Sequence, residues 1–295
     1  MRPAPLPVPV PRFGAHMSVA GGIHNAFEAG ARVACESLQI FVKNQRQWSA
    51  PPLDPAAIEA CREAATRTGL TPVVAHASYL LNLASPDAAQ RKRSIDALLD
   101  ELGRCEMLGV DHLVFHPGST MGDTVPASLK RVAKGLDEVR KRAPGDHTMI
   151  LIECTAGAGN TVGRSFEELA GILDGLRRPE RVGLCLDTCH LFAAGYDFRK
   201  EDAYQEMVAR LDSLIGTERV RCIHVNDSKG EAGSHLDRHE HIGKGRIGKA
   251  GFAHFVNDPR FASLPMILET PKGKDGRGTD LDKVNLKRLR AMLRG

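Results

Sequence analysis

The 295-residue sequence contains no apolar run close to the roughly 18 residues that a membrane-spanning helix needs. It also lacks any CxxC pair, and its seven cysteines are an odd number. That argues against a disulfide framework and against a thiolate metal site. The cysteines, Cys185 and Cys222 among them, are expected to be small buried hydrophobes in a reducing cytoplasm. No glycine-rich phosphate loop follows the first apolar run; Gly21-Gly22 is too little to make one. Charge of one sign is not abundant either. Forty basic residues against 36 acidic ones leave +4, which permits a polyanionic partner without requiring one. The stretch from Arg2 to Pro11 is proline-rich and has no apolar helical centre. It is expected to form a flexible arm over residues 1–12, not a signal peptide.

What is present is a regular alternation. Eight short runs rich in Val, Ile and Leu (Phe13 to Met17, Leu38 to Val42, Pro72 to His76, His112 to His116, Met149 to Glu153, Val182 to Asp187, Val220 to Val225 and Pro265 to Thr270) are separated by helical patterns. Nearly continuous apolar runs suit parallel strands covered on both faces. Asp54-Pro55, Ser85-Pro86 and the Ser165/Glu168 pair read as helix starts, and Leu129, Val132, Leu136 and Val139 form one helical stripe. Eight strand–helix units with no second domain predict a single-domain (β/α)8 TIM barrel over residues 13–295. An open doubly wound sheet is the alternative, and the missing phosphate loop weighs against it.

In such a barrel the C-terminal strand ends face the active site. Those ends carry His76, His116, Glu153, Asp187, His224 and Glu269. His, Asp and Glu make up 48 of the 295 residues, so eight strand ends should carry about one or two of them by chance. Converging carboxylates need compensating charge, and cations supply it. His190 lies three residues beyond Asp187, and Asp237-Arg238-His239 is a D-x-H pair in the long, Gly-rich, basic segment from Asn226 to Lys249. Nine oxygen and nitrogen donors are too many for one ion and suit two or three. Five imidazoles favour zinc or manganese over magnesium. Metals about 3.5–4 Å apart suit in-line displacement at phosphorus, and Glu153 is placed to bridge two of them.

The stretches GAHMSVAGG from Gly14, FVKNQRQW from Phe41, HASYLLNLASP from His76, FHPGS from Phe115, IECTAGAG from Ile152, CLDTCH from Cys185, HVNDSK from His224, DRHEHIGKGRIG from Asp237 and ILETP from Ile267 resemble the endonuclease IV family of apurinic/apyrimidinic endonucleases. The resemblance runs from about residue 13 to the last residue. It implies three zinc ions. His76, His116 and Glu153 would hold the first. Glu153, Asp187, His224 and Glu269 would hold the second, and His190, Asp237 and His239 the third, with manganese an option at one position. The implied reaction hydrolyses the DNA backbone 5′ to an abasic site, leaving a 3′-hydroxyl and a 5′-deoxyribose phosphate, and also trims blocked 3′ ends. Glu153 and Glu269 are the implied catalytic carboxylates. Arg46, Tyr79 and Leu80 match positions that fill the gap left by a flipped nucleotide, and Lys43, Lys229, Lys244 and Arg246 are candidate phosphate contacts. Cys154 and His241 stand where the family commonly has asparagine. His16, His235 and His241 are not expected to bind zinc. The partner implied is double-stranded DNA, with no membrane, no obligate protein partner and a monomeric chain. A two-metal sugar isomerase or epimerase and an inactive DNA-damage binder are the competing readings. The isomerase has no evident need for His190, Asp237 and His239.

Overall fold

The structure is a computed structural model and describes residues 10–294. In chain order its elements are β1 (Arg12–His16), α1 (His24–Arg32), β2 (Ser37–Ile40), α2 (Pro55–Thr68), β3 (Val73–His76), α3 (Ala88–Leu108), β4 (His112–Phe115), α4 (Val125–Arg142), β5 (Met149–Glu153), α5 (Phe166–Leu173), β6 (Val182–Asp187), α6 (Thr188–Ala194), α7 (Glu201–Leu214), β7 (Val220–His224), β8 (Asp227–Ser228), β9 (His239–Glu240), α8 (Gly248–Val256), β10 (Pro265–Leu268) and α9 (Leu281–Arg290). Eight strands close into a parallel barrel in the order β1-β10-β7-β6-β5-β4-β3-β2. β8 and β9 form an antiparallel hairpin inside the long segment after β7. The protein is thus a single-domain (β/α)8 TIM barrel. β1 opens at Arg12, so the proposed arm is shorter at that end. Its residues 1–9 lie outside the described residues.

Local chemistry explains the helix starts. Asp54 accepts from the Ala56 N–H with Pro55 at the first helical position, and Gly69 closes α2 in the left-handed region at φ 67°. At α3 the cap is Asp87, not Ser85. Its Oδ1 accepts from the Ala89 and Gln90 N–H groups, while Ser85 Oγ accepts from the Asp87 N–H and donates to Gln90 Oε1. The Ser165/Glu168 pair is half a capping box: Ser165 accepts from Glu168 N–H, but Glu168 reaches back to the N–H groups of Gly163 and Arg164. In α4, Val132, Leu136 and Val139 are fully buried under the predicted stripe.

The barrel interior positions the site. Val74, Val114, Leu151, Cys185, Cys222 and Ile267 form a small, fully buried apolar cluster. Each stands two residues before His76, His116, Glu153, Asp187, His224 or Glu269. Side chains alternate across a strand, so a residue two positions on points the same way. The apolar cluster is therefore the floor, and the six titratable residues stand above it at the C-terminal mouth.

Candidate metal centre

Glu153 is the hub. Fully buried at the end of β5, its carboxylate has His76 Nε2 at 3.0 Å, His116 Nε2 at 2.8 Å and His224 Nδ1 at 2.9 Å, with His190 Nδ1, which bonds the Cys154 carbonyl, 3.3 Å away. Glu269, Asp187 and His224 gather beside it, their donor atoms lying with one from Glu153 inside 4.8 Å of each other. On the far side, Asp237 Oδ1 stands 3.2 Å from His190 Nε2 and 3.4 Å from His239 Nε2. All nine sequence-selected donors thus meet in one continuous patch. β9 carries His239 there, and Asp237 lies in the connection between β8 and β9.

The electrostatics match a site built around positive charge. Burial pushes the Glu269 carboxyl up, but His224 and His76 outweigh it and hold it at about 2. Asp237 behaves alike: His190 overcomes burial and brings it to about 2. Burial pushes His190 and His224 down, yet the carboxylates around them lift both well above the usual imidazole value. His76 is raised too, its burial outweighed by Glu153. His16 differs: burial takes it down to about 3, so it is neutral at physiological pH.

Two buried nitrogens test whether cations suit this donor set. His190 Nε2 and His239 Nε2 have no hydrogen-bond partner although both are out of solvent. Each ring turns its Nδ1 toward a main-chain carbonyl, of Cys154 at 2.9 Å and of Glu269 at 3.3 Å. That leaves Nε2 as a lone pair facing carboxylates, an arrangement that only a proton or a cation relieves. The residues present fit metal ions.

A family model described as a xylose isomerase-like TIM barrel matches residues 27–292. A probable endonuclease 4 of Chloroflexus aurantiacus is 49% identical over 286 residues, covering 97% of this chain and 99% of its own length. A probable endonuclease 4 of Trichlorobacter lovleyi is 43% identical, with 95% and 99% covered. The chain belongs to the endonuclease IV family. The crystal structure of endonuclease IV from Thermus thermophilus superposes with a TM-score of 0.83 at 37% identity, covering 96% of this chain and 98% of that one. A D-tagatose 3-epimerase-like protein also superposes, with a TM-score of 0.72, but at 20% identity it shows a shared barrel only.

Among the candidate DNA contacts of this endonuclease IV chain, Arg46 and Lys244 are exposed, as is Lys229, and Leu80 is half-buried. Tyr79 is 62% exposed with its ring beside His76, His116 and Phe41. Arg246 is exposed and paired with Glu231 at 3.1 Å. Lys43 is a correction. Its side chain is buried, with Nζ 3.2 Å from Asp100 and 3.4 Å from Glu101, so it holds α3 and does not face phosphate. The excluded histidines are structural: His235 Nδ1 meets the Ala156 carbonyl and His241 Nδ1 meets Asn285.

Sequence reasoning missed three residues. Asn226 donates to Asp187 Oδ2 at 2.7 Å and accepts from the Glu269 N–H at 2.8 Å, holding the Asp187 carboxylate and the main chain at Glu269. Cys189 lies within 4.8 Å of donor atoms of Asp237 and His239. Its position between Asp187 and His190 was the available signal. Gln39 reaches His224, Glu269 and His16 from β2.

The imidazole shifts predict a pH effect. Protons and cations compete for the same lone pairs, and a raised imidazole pKa favours the proton. Lowering pH is therefore expected to loosen the metals, by about tenfold per pH unit for each proton displaced. Dialysis against a metal buffer at pH 8 and pH 6, followed by metal analysis, checks this; equal retention would mean that the imidazoles are not ligands.

Proposed function

We propose that this endonuclease IV family chain is a DNA-repair hydrolase of the deoxyribonuclease IV type. It cuts the phosphodiester bond 5′ to an abasic site, leaving a 3′-hydroxyl and a 5′-deoxyribose phosphate, and trims blocked 3′ ends. The observation that carries the reading is the joining of the Glu153 hub to a separate His190, Asp237 and His239 set. A sugar isomerase would be served by Glu153, Asp187, His224 and Glu269 alone.

Three zinc ions are the cofactor in this reading, with manganese an alternative at one position. His76, His116 and Glu153 would hold one. Glu153, Asp187, His224 and Glu269 would hold another, and His190, Asp237 and His239 the third. When bound, such ions supply Lewis-acid charge that stabilises a phosphoryl group under attack. The chain's own groups do the remaining work. Glu153 holds His76, His116 and His224 in fixed orientation. Glu269, ionised and 15% exposed, accepts a hydrogen bond from the attacking water and sets its direction. The buried walls keep other water out. Arg46, Tyr79 and Leu80 occupy the space vacated by an extruded abasic nucleotide, whose lost pairing makes extrusion cheap. Lys229, Lys244 and Arg246 contact phosphates and set the register. Seven free cysteines suit a reducing, cytoplasmic setting, and a monomer suffices for every group named.

Metal analysis of the purified chain tests the ion count. Close to three zinc per chain is expected, with activity lost slowly to a chelator and restored by zinc; one ion or none would reject the three-ion centre. Arg46→Ala tests the abasic preference. Its affinity for abasic duplex is expected to fall on the order of tenfold, well beyond its loss on undamaged duplex. Equal losses on both would reduce Arg46 to a phosphate contact.

A further inference from the structure

Five imidazoles of the centre aim a nitrogen at the carboxylates, and in four of them the other nitrogen meets a hydrogen-bond partner. For His76, His190 and His239 the outer nitrogen is Nδ1, and it meets a main-chain carbonyl: Ala77 at 2.8 Å, Cys154 at 2.9 Å and Glu269 at 3.3 Å. His224 is reversed. Its Nδ1 points inward, 2.9 Å from Glu153 and 3.3 Å from Glu269, and its outer Nε2 meets the side-chain oxygen of Gln39 at 2.8 Å.

Gln39 is fully buried on β2, and every polar position of its amide is engaged. Nε2 donates one hydrogen to Glu269 Oε1 at 2.6 Å and directs the other at His16 Nδ1 at 3.0 Å. The flipped amide would set its oxygen against the Glu269 carboxylate, acceptor against acceptor, so one orientation survives. With Oε1 fixed toward His224, the imidazole must carry its proton on Nε2. In the neutral ring that a cation would bind, Nδ1 is then the lone pair facing the carboxylates. The same amide holds Glu269 and is itself held by His16.

We propose that Gln39 is a positioning residue that fixes the His224 tautomer and the Glu269 rotamer as one unit of the cation site. The proposal rests on the reading that this centre holds cations. His76, His190 and His239 are supported by main-chain carbonyls that no substitution removes, whereas His224 is supported by a side chain. Outer partners of metal-binding histidines are typically worth about 10–100-fold in metal affinity or activity.

Gln39→Met keeps the length and removes all three hydrogen bonds. In the zinc-loaded variant, zinc should pass to a competing chelator about 10–100-fold more readily than from the parent. On abasic duplex, kcat should fall while KM stays within about twofold. A merely structural glutamine would lower the melting temperature of the metal-free protein and leave zinc retention unchanged, and that result overturns the proposal. Independently of any variant, the zinc-loaded parent should show a slowly exchanging proton on His224 Nε2 in ¹⁵N-edited spectra. A proton on Nδ1, or none protected, also overturns it. A parent that binds no zinc overturns the cation reading itself; a zinc-holding parent beside an equally retentive Gln39→Met overturns only the role of Gln39.

Discussion

Glu153→Gln is expected to dismantle the centre: metal content should drop and cleavage of abasic DNA should fall by at least about 10³-fold. The reason is the number of groups that depend on one carboxylate. Four imidazole nitrogens lie within 3.3 Å of it, and it is fully buried. The amide keeps the shape, removes the charge and turns a donor toward rings that need an acceptor. The metal-free protein should suffer as well. Removing one partner of a buried charged set costs about 3–5 kcal/mol. The sign with pH follows from the raised imidazoles. At low pH His76, His190 and His224 are protonated and left uncompensated, so the loss is largest there; it shrinks as pH rises through their raised values and the rings become neutral. Denaturant unfolding of both metal-free proteins at pH 6 and pH 8 checks this. Parent-like metal content and turnover in Glu153→Gln would remove Glu153 from the hub.

Glu269→Gln is expected to separate chemistry from binding. Its carboxyl is held near 2, so it is fully ionised at working pH, and it is one of the less deeply buried carboxylates of the centre. The substitution keeps the volume and leaves the exposed loop residues untouched. We expect kcat to fall on the order of 10³-fold, comparable to losing one preorganised charge-stabilising group, with affinity for abasic duplex nearly unchanged. Single-turnover cleavage beside a binding titration reads both. Undiminished cleavage would exclude Glu269 from catalysis, and a parallel loss of binding would make its role structural.

The fold was legible in the sequence because buried parallel strands write nearly continuous apolar runs, and because the residue at the end of most runs was titratable. Legibility failed where strand ends were misjudged. Runs expected to reach Met17 and Val42 stop as strands at His16 and Ile40. The inward-pointing residues there are His16 and Gln39. Counting back by two from the expected ends would not have found Gln39, because the inward register of β2 depends on its neighbours. Lys43 was misread for a different reason. A lysine beside a motif arginine looks like a phosphate ligand until α3 places Asp100 and Glu101 against it. Such pairing across about 57 residues leaves no local trace. Ser85 lost the cap of α3 to Asp87 because the chain turns into the helix two residues later, and boundary shifts of that size are invisible to spacing.

The measurement closest to the central claim is cleavage of a duplex carrying a single tetrahydrofuran abasic mimic, with the new ends identified. The mimic cannot undergo β-elimination, so any nick is hydrolytic. The zinc-loaded protein should cut on the 5′ side of the mimic and leave a 3′-hydroxyl that a polymerase extends directly, and Glu269→Gln should not. Binding of this duplex without a nick, or a nick whose 3′ end cannot be extended, would contradict the account.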